Sequence, residues 1–196
     1  MSVRTLASDE HYSAARYLVE DLGLVDPTAE AESIASNAAR RLRGLAGARG
    51  VLLDNTKGNA GPLLRHVGDL LEQKYGVQSF EMARKLVYSR PADPSLLGEL
   101  ARDYEFVVTG VGACGSCTSG CVRDAVELES RGVPTVAIHT EVFMNSAIAH
   151  SAAFGRPDLK FVAVEHPIAA VSDDELKRRA TALVDSVAAI LVGETA

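Results

Sequence analysis

From residue 50 onward, short apolar runs alternate with stretches of helical periodicity, and this alternation constrains the fold more than any other feature. It predicts strands at 50–54, 77–84, 105–109, 135–139 and 160–164, and helices at 62–75, 94–102, 117–131, 142–154 and 173–192. Strands and helices in this order form right-handed crossovers and a parallel sheet that is covered on both faces. The predicted fold is therefore α/β, an open doubly wound sheet of about five strands, Rossmann-like and with a flavodoxin-like strand order.

The first 47 residues carry no strand signal. Helical spacing of apolar residues predicts helices at 12–22 and 28–45, the second preceded by a start signal at Asp26-Pro27-Thr28. These two helices carry apolar residues in addition to those needed to cover a five-stranded sheet that has its own helices, namely Leu18, Leu22, Ile34 and Leu42. We therefore expect a helical arm at 1–47 for packing or homodimerisation, and an α/β domain at 48–196 that carries the functional site.

All three cysteines, Cys114, Cys117 and Cys121, fall in one glycine-rich stretch between a predicted strand and a predicted helix. A thiol at a helix N-terminus faces free N–H groups and the positive end of the helix dipole, which lower its pKa. Three crowded cysteines cannot all pair within the chain, so purely structural bridges are disfavoured. The spacing therefore predicts reactive sulfur.

Several chemistries fit this stretch. In the first, Cys114 is an exposed nucleophile that attacks a substrate, and Cys117 is the thiol that then closes a disulfide with it. A non-catalytic redox sensor would form the same disulfide without converting a substrate. In the second, the three thiolates hold copper, zinc, iron or an iron–sulfur cluster, completed by His139 or His166. The run Gly110-Val-Gly112-Ala-Cys-Gly115 is also formally a dinucleotide motif, but it follows the third strand rather than the first. Cysteines that merely fill the core are the remaining alternative.

Polar side chains follow the predicted strands at the edge where an open α/β sheet binds its ligand. His139 and His166 are the candidates for proton transfer there. Lys57 and Arg84 are the candidates for holding a substrate carboxylate. The other candidate substrate-binding residues at this edge are Asn55, Asn59, Gly112, Gly115, Ser116, Thr140 and Glu141.

Composition and charge indicate which classes of partner the protein binds. The formal net charge is −6, Lys and Arg form no run, and aromatic residues are few, which argues against a nucleic-acid groove or an anionic membrane surface. No window approaches the ~18 uninterrupted apolar residues of a membrane span, and the N-terminus lacks the apolar segment of a signal peptide. We expect a cytoplasmic protein that acts on a small molecule, with a thiol reductant as a further partner.

The stretch from Thr109 to Thr118, continuing into Asp124-Ala-Val-Glu-Leu-Glu and Gly132-Val-Pro-Thr-Val, resembles the UGSC-motif (seleno)protein family. In that family the position of Cys114 is often selenocysteine, followed by Gly-Ser-Cys as here. Residues 53–60 and Val164-Glu-His166-Pro167 are also similar to the family, so the resemblance spans about 49–167. It implies that Cys114 is the reactive position.

More distantly, the same βα unit is similar to the selenoprotein B subunit of glycine and betaine reductases. In those reductases the selenol attacks the α-carbon of the substrate and displaces its amine. From the convergence of Cys114, Cys117, His139 and His166 on one sheet edge, we expect Cys114 to act as a nucleophile on a small carboxylated or amine-bearing substrate, in reductive cleavage or lyase-type chemistry. Two departures are visible: Cys114 stands in place of selenocysteine, and Cys121 lies one residue further from Cys117 than in the reductases.

Overall fold

The structure, a computed structural model, describes residues 38–194. Five strands are present in this part of the chain: β1 (Arg49–Asp54), β2 (Ser79–Arg84), β3 (Phe106–Gly112), β4 (Thr135–Thr140) and β5 (Phe161–Val164). The helices between and after them are α1 (Ala60–Tyr75), α2 (Pro94–Asp103), α3 (Gly115–Ser130), α4 (Met144–Ala153) and α5 (Asp173–Val192), with a short 3-10 helix (Glu141–Phe143) before α4.

The strands form one parallel sheet in the order β2-β1-β3-β4-β5. This confirms the predicted doubly wound α/β fold and its flavodoxin-like strand order. The chain moves outward from β1 to β2 and then crosses back to β3 on the other side of β1. The switch point of the strand order therefore lies between β1 and β3, whose carboxyl ends lead into residues 55–59 and into the cysteine stretch.

Both faces of the sheet are covered by helices. On one face α1 and α5 pack on side chains such as Leu52, Val108 and Ile138. On the other face α2, α3 and α4 pack on Val51, Leu53, Val107 and Ala137. Because both faces are covered, β3 and β4 are buried along their whole length, and their ends are held rigidly in place.

Local signals account for the helix boundaries. The hydroxyl of Ser172 accepts a hydrogen bond from the Glu175 N–H at 3.3 Å, three acidic residues occupy the first turn of α5, and Gly193 ends it with a φ of 82°. Asp93 caps α2, whose first residue is a proline. These signals place α5 at the predicted boundaries and α2 within one residue of them.

The predicted helix at 28–45 is wrong over its described part, because residues 38–45 are not helical. Their N–H groups bond to distant elements instead: the Leu42 N–H donates to the Leu191 carbonyl at 3.0 Å, and the Ala39 N–H donates to the Glu129 carboxylate at 2.9 Å. The remainder of that helix and the helix predicted at 12–22 lie outside the described residues.

Candidate active site

Cys114 and Cys117 are joined by a disulfide at the start of α3. Cys114 occupies the N-cap position, where its sulfur accepts a hydrogen bond from the Cys117 N–H at 3.3 Å and its carbonyl accepts one from the Thr118 N–H at 2.9 Å. Cys114 is partly exposed, and the next two residues, Gly115 and Ser116, are exposed. Cys117 is completely buried. One sulfur of the pair therefore faces solvent, and the other faces the protein interior.

Cys121, one helical turn further along α3, is a free thiol in the core. Burial raises its pKa to about 12; the nearby Lys85 lowers the pKa and Asp124 raises it, both to a lesser extent. Its sulfur lies 3.4 Å from the side-chain nitrogen of Asn55. Burial thus favours the protonated thiol and shields Cys121 from solvent, and a catalytic role for it stays a prediction.

The side chain of Asn55 forms hydrogen bonds with the backbone just before the cysteine stretch. Its oxygen accepts a hydrogen bond from the Val111 N–H at 3.0 Å, and its nitrogen donates to the Val111 carbonyl at 2.9 Å. The pairing of β3 with β4 is irregular at Val111, so the N–H and carbonyl of Val111 form hydrogen bonds with the Asn55 side chain instead of with β4. The Asn55 side chain thus holds the backbone of β3, and its role in substrate binding stays a prediction.

Asn59 also holds the backbone. Its side-chain nitrogen donates to the carbonyls of Ile168 and Val171 at 2.9 and 3.0 Å, and so ties the chain after β5 to the start of α1. Arg84 extends from the end of β2 with a side chain that is 69% exposed, and its Nε lies 3.4 Å from a carboxylate oxygen of Asp54.

Lys57 lies three residues beyond the end of β1, one of the two strands that flank the switch point. Its Nζ lies 4.8 Å from the centre of the Tyr88 ring, a cation–π contact that orients the ammonium group. No carboxylate forms an ion pair with Lys57 among residues 38–194. The charge of Lys57 therefore remains available to an anionic ligand at the carboxyl edge.

His139 lies in the interior and not at the open edge. It is completely buried, both ring nitrogens lack a hydrogen-bond partner among the described residues, and the ring packs edge-on against Phe161. Burial lowers its pKa to about 3, with a smaller contribution from His150. A Cβ at Gly112 would lie 2.0 Å from the His139 Nδ1, so the absence of a side chain at Gly112 makes room for the imidazole.

His166 does lie at the carboxyl edge. Its Nδ1 is 3.2 Å from the Thr140 hydroxyl, which in turn donates to the Gly112 carbonyl at 3.4 Å. The backbone on either side of His166 is fixed by Arg179, whose guanidinium donates to the Glu165 and Pro167 carbonyls. His166 itself is exposed, as is Glu141 at the start of the 3-10 helix. The structure thus brings His166 and Thr140 to the end of the strand that leads to Cys114.

Among residues 38–194, no group of three or more His, Cys, Asp or Glu side chains is arranged to hold a metal ion. Cys114 and Cys117 are bonded to each other, and Cys121 and His139 point into the core.

A model of the UGSC family matches residues 23–193 of this sequence. The chain belongs to the UGSC family. The match includes the whole range over which the motifs resemble that family, whereas the more distant similarity to the selenoprotein B subunit stays a prediction. A search of curated proteins finds no match.

Sequence reasoning missed the most deeply buried charges beside the site of this UGSC-family protein. Lys85 follows β2 and forms an ion pair of 2.5 Å with Asp124 of α3, and both side chains are almost completely buried. The second carboxylate oxygen of Asp124 accepts a hydrogen bond from the Ala92 N–H at 2.7 Å. The available signal was Asp124 itself, a carboxylate between the apolar residues Val122 and Ala125 of a helix that packs on the sheet.

No helix within residues 38–194 has the length and apolar character needed to cross a bilayer.

Proposed function

We propose that this protein is a thiol-dependent reductase in which Cys114 is the nucleophile and Cys117 is the resolving thiol. One observation carries the proposal: a disulfide joins a partly exposed N-cap cysteine to a buried cysteine at the carboxyl edge of the sheet. The reduced form would present the Cys114 thiolate to the N–H groups of the first turn of α3, which favour the ionised sulfur.

The proposed reaction consumes two thiols. The Cys114 thiolate attacks a small substrate R–X, forms the S–R bond and expels X⁻. The Cys117 thiolate then attacks the Cys114 sulfur, which forms the disulfide and releases R with the bonding electron pair, to be protonated to R–H. The substrate is reduced by two electrons, and the cysteine pair is oxidised by two.

Two further residues have proposed roles. Lys57 anchors an anionic group of a carboxylated or amine-bearing substrate, a role supported by its ammonium group beside the Tyr88 ring. His166 exchanges the proton that accompanies departure of X or R, a role supported by its exposed ring at the same edge. His139 has no role in this scheme because it is buried and held neutral.

The cycle needs a reductant and a suitable compartment. We propose that an external thiol regenerates the cysteine pair, and that the protein works in the cytoplasm, where thiols are kept reduced. We also propose that the chain is a homodimer through its N-terminal arm.

The test uses single cysteine variants. Wild type and each variant are reduced, and one aliquot is labelled with iodoacetamide near pH 7.5 at once and a second after mild reoxidation. The labelled sites are identified by mass spectrometry. We expect wild type and Cys121→Ser to form the Cys114–Cys117 disulfide, and Cys114→Ser to lose the rapidly labelled thiol of the reduced form. Equal and slow labelling of all three cysteines in reduced wild type would contradict the proposal.

A further inference from the structure

Three consecutive apolar side chains are exposed in the loop after β2. Leu86 is 98% exposed, and Val87 and Tyr88 are each 43% exposed. The other large hydrophobic side chains that are exposed within residues 38–194 are Val142 and Ile148. Single exposed apolar residues are ordinary, but a contiguous set is typical of a surface that binds a partner. We call Leu86, Val87 and Tyr88 the 86–88 patch.

The loop that carries this patch is attached to the cysteine helix at both ends. Lys85 and the Ala92 N–H both bond to the buried carboxylate of Asp124 in α3. Between them, the loop backbone passes so close to Gly120 that a Cβ there would lie 3.1 Å from the Arg90 carbonyl oxygen. Gly120 is three residues beyond Cys117, so the loop crosses α3 beside the disulfide.

The surroundings of the 86–88 patch are cationic. Residues 84–92 include Arg84, Lys85 and Arg90 but no Asp or Glu, in a chain whose formal net charge is −6. Lys85 is neutralised by Asp124, and the exposed Arg84 lies 3.4 Å from the Asp54 carboxylate. Arg90 is exposed, and Lys57 lies over the Tyr88 ring. An apolar patch with this rim is complementary to a partner surface that is apolar and acidic.

The disulfide needs two electrons from outside the chain. Cys121 is the third and last cysteine of the sequence, and it is buried with its pKa raised to about 12, so it cannot attack the disulfide. An attacking thiolate from outside reaches Cys114, which is partly exposed, and not Cys117, which is completely buried. A small thiol would need no docking surface for this step, but a protein would.

We propose that the 86–88 patch, with Lys57, Arg84 and Arg90 around it, docks a dithiol protein that reduces the Cys114–Cys117 disulfide. The proposal rests on the proposed function. A partner thiolate attacks the Cys114 sulfur, the disulfide breaks, and Cys117 leaves with the electron pair and takes a proton. The partner's second thiol, after losing its proton, then attacks the mixed disulfide and releases Cys114 as a thiolate. The partner is oxidised by two electrons, and the cysteine pair is reduced by two.

The test compares a protein reductant with a small one on the full-length oxidised chain. The probes are a bacterial thioredoxin, kept reduced by NADPH and its reductase, and dithiothreitol. We expect the Leu86→Ser, Val87→Ser double variant to be reduced by thioredoxin about tenfold more slowly than wild type, because the apolar contact is lost. Dithiothreitol should reduce both proteins at the same rate. Higher salt should lower the rate at which thioredoxin reduces wild type, because it screens the attraction between the cationic rim and an acidic partner. The rate with Arg90→Glu should depend less on salt, since part of that attraction is already removed.

The matched control is Val142→Ser, which removes an exposed apolar side chain outside the 86–88 patch and should leave both rates unchanged. The docking proposal is overturned if thioredoxin reduces wild type and the double variant equally fast, or no faster than dithiothreitol does. It is also overturned if wild type, but not the double variant, floats with anionic phospholipid vesicles, since the patch would then bind a membrane. If no Cys114–Cys117 disulfide forms under any oxidant, the proposed function fails instead.

Discussion

At the scale of single residues, Lys57 is the group whose role can be tested without knowing the substrate. Iodoacetate and iodoacetamide alkylate the same thiolate, but only iodoacetate is anionic. If Lys57 attracts anions to Cys114, Lys57→Gln should slow alkylation by iodoacetate about threefold, because a partly screened charge interaction is of that size. The rate of alkylation by iodoacetamide should not change. The rates are measured on reduced protein by mass spectrometry. Lys160→Gln, just before β5 at the opposite edge of the sheet, is the control, and an equal change with both reagents would contradict the anchoring role.

His139 makes a prediction about the pH dependence of stability. Its pKa is about 3 in the folded protein and about 6.5 in the unfolded chain, so between these values the unfolded state binds more protons. The free energy of unfolding therefore falls as pH falls through this window, by about 2 kcal/mol between pH 7 and pH 5 for this one group. Urea unfolding at the two pH values should show that His139→Leu loses this part of the fall. His166→Ala should keep it, and identical pH dependence in wild type and His139→Leu would contradict the assignment.

At the scale of elements, the buried ion pair Lys85–Asp124 fastens the loop after β2 to α3. Asp124→Ala would leave the Lys85 ammonium buried without a partner and the Ala92 N–H without an acceptor, so we expect the free energy of unfolding to fall by about 3–5 kcal/mol. The double variant Lys85→Met, Asp124→Asn removes both charges and keeps an acceptor for Ala92. It should recover most of the loss in urea unfolding.

The exposed ion pair Lys177–Asp173 supplies the comparison for that experiment. Lys177→Ala should leave the free energy of unfolding almost unchanged, because water screens the pair. If Asp124→Ala were no more destabilising than Lys177→Ala, the buried pair would not fasten the loop.

The elements themselves were largely predictable, and the deviations have local causes. The helix predicted at 173–192 has its observed boundaries there, and these are set locally by the Ser172 cap, an acidic first turn and the terminal Gly193. The third strand continues beyond residue 109 to Gly112 since the Asn55 side chain bonds to both backbone groups of Val111, a contact across 56 residues. Residues 38–45 carry a helical pattern, but their N–H groups bond to Glu129 and Leu191. Local pattern cannot reveal such distant partners.

At the scale of the whole molecule, the strand order brought the predicted site residues to one edge but did not fix their side chains. Cys114, Lys57 and His166 lie at that edge as the topology predicted. His139 and Cys121 lie in the same region of the chain but face the core. Because both faces of the sheet are covered, the alternation of β4 does not separate a solvent face from a core face, and sequence alone could not decide where His139 points.

The last prediction concerns assembly. The sequence predicts that apolar residues of the N-terminal arm, most of which lies outside the described residues, join two copies of the chain. The 86–88 patch is proposed to bind a different protein. Light scattering at micromolar concentration should therefore give a dimer mass for wild type and for Leu86→Ser, Val87→Ser. The double variant Leu18→Asp, Leu22→Asp should give a monomer mass, because two buried carboxylates would have to be desolvated to form the interface. A monomeric wild type would eliminate the dimer, and a dimer lost only in the Leu86→Ser, Val87→Ser variant would move the interface to the patch.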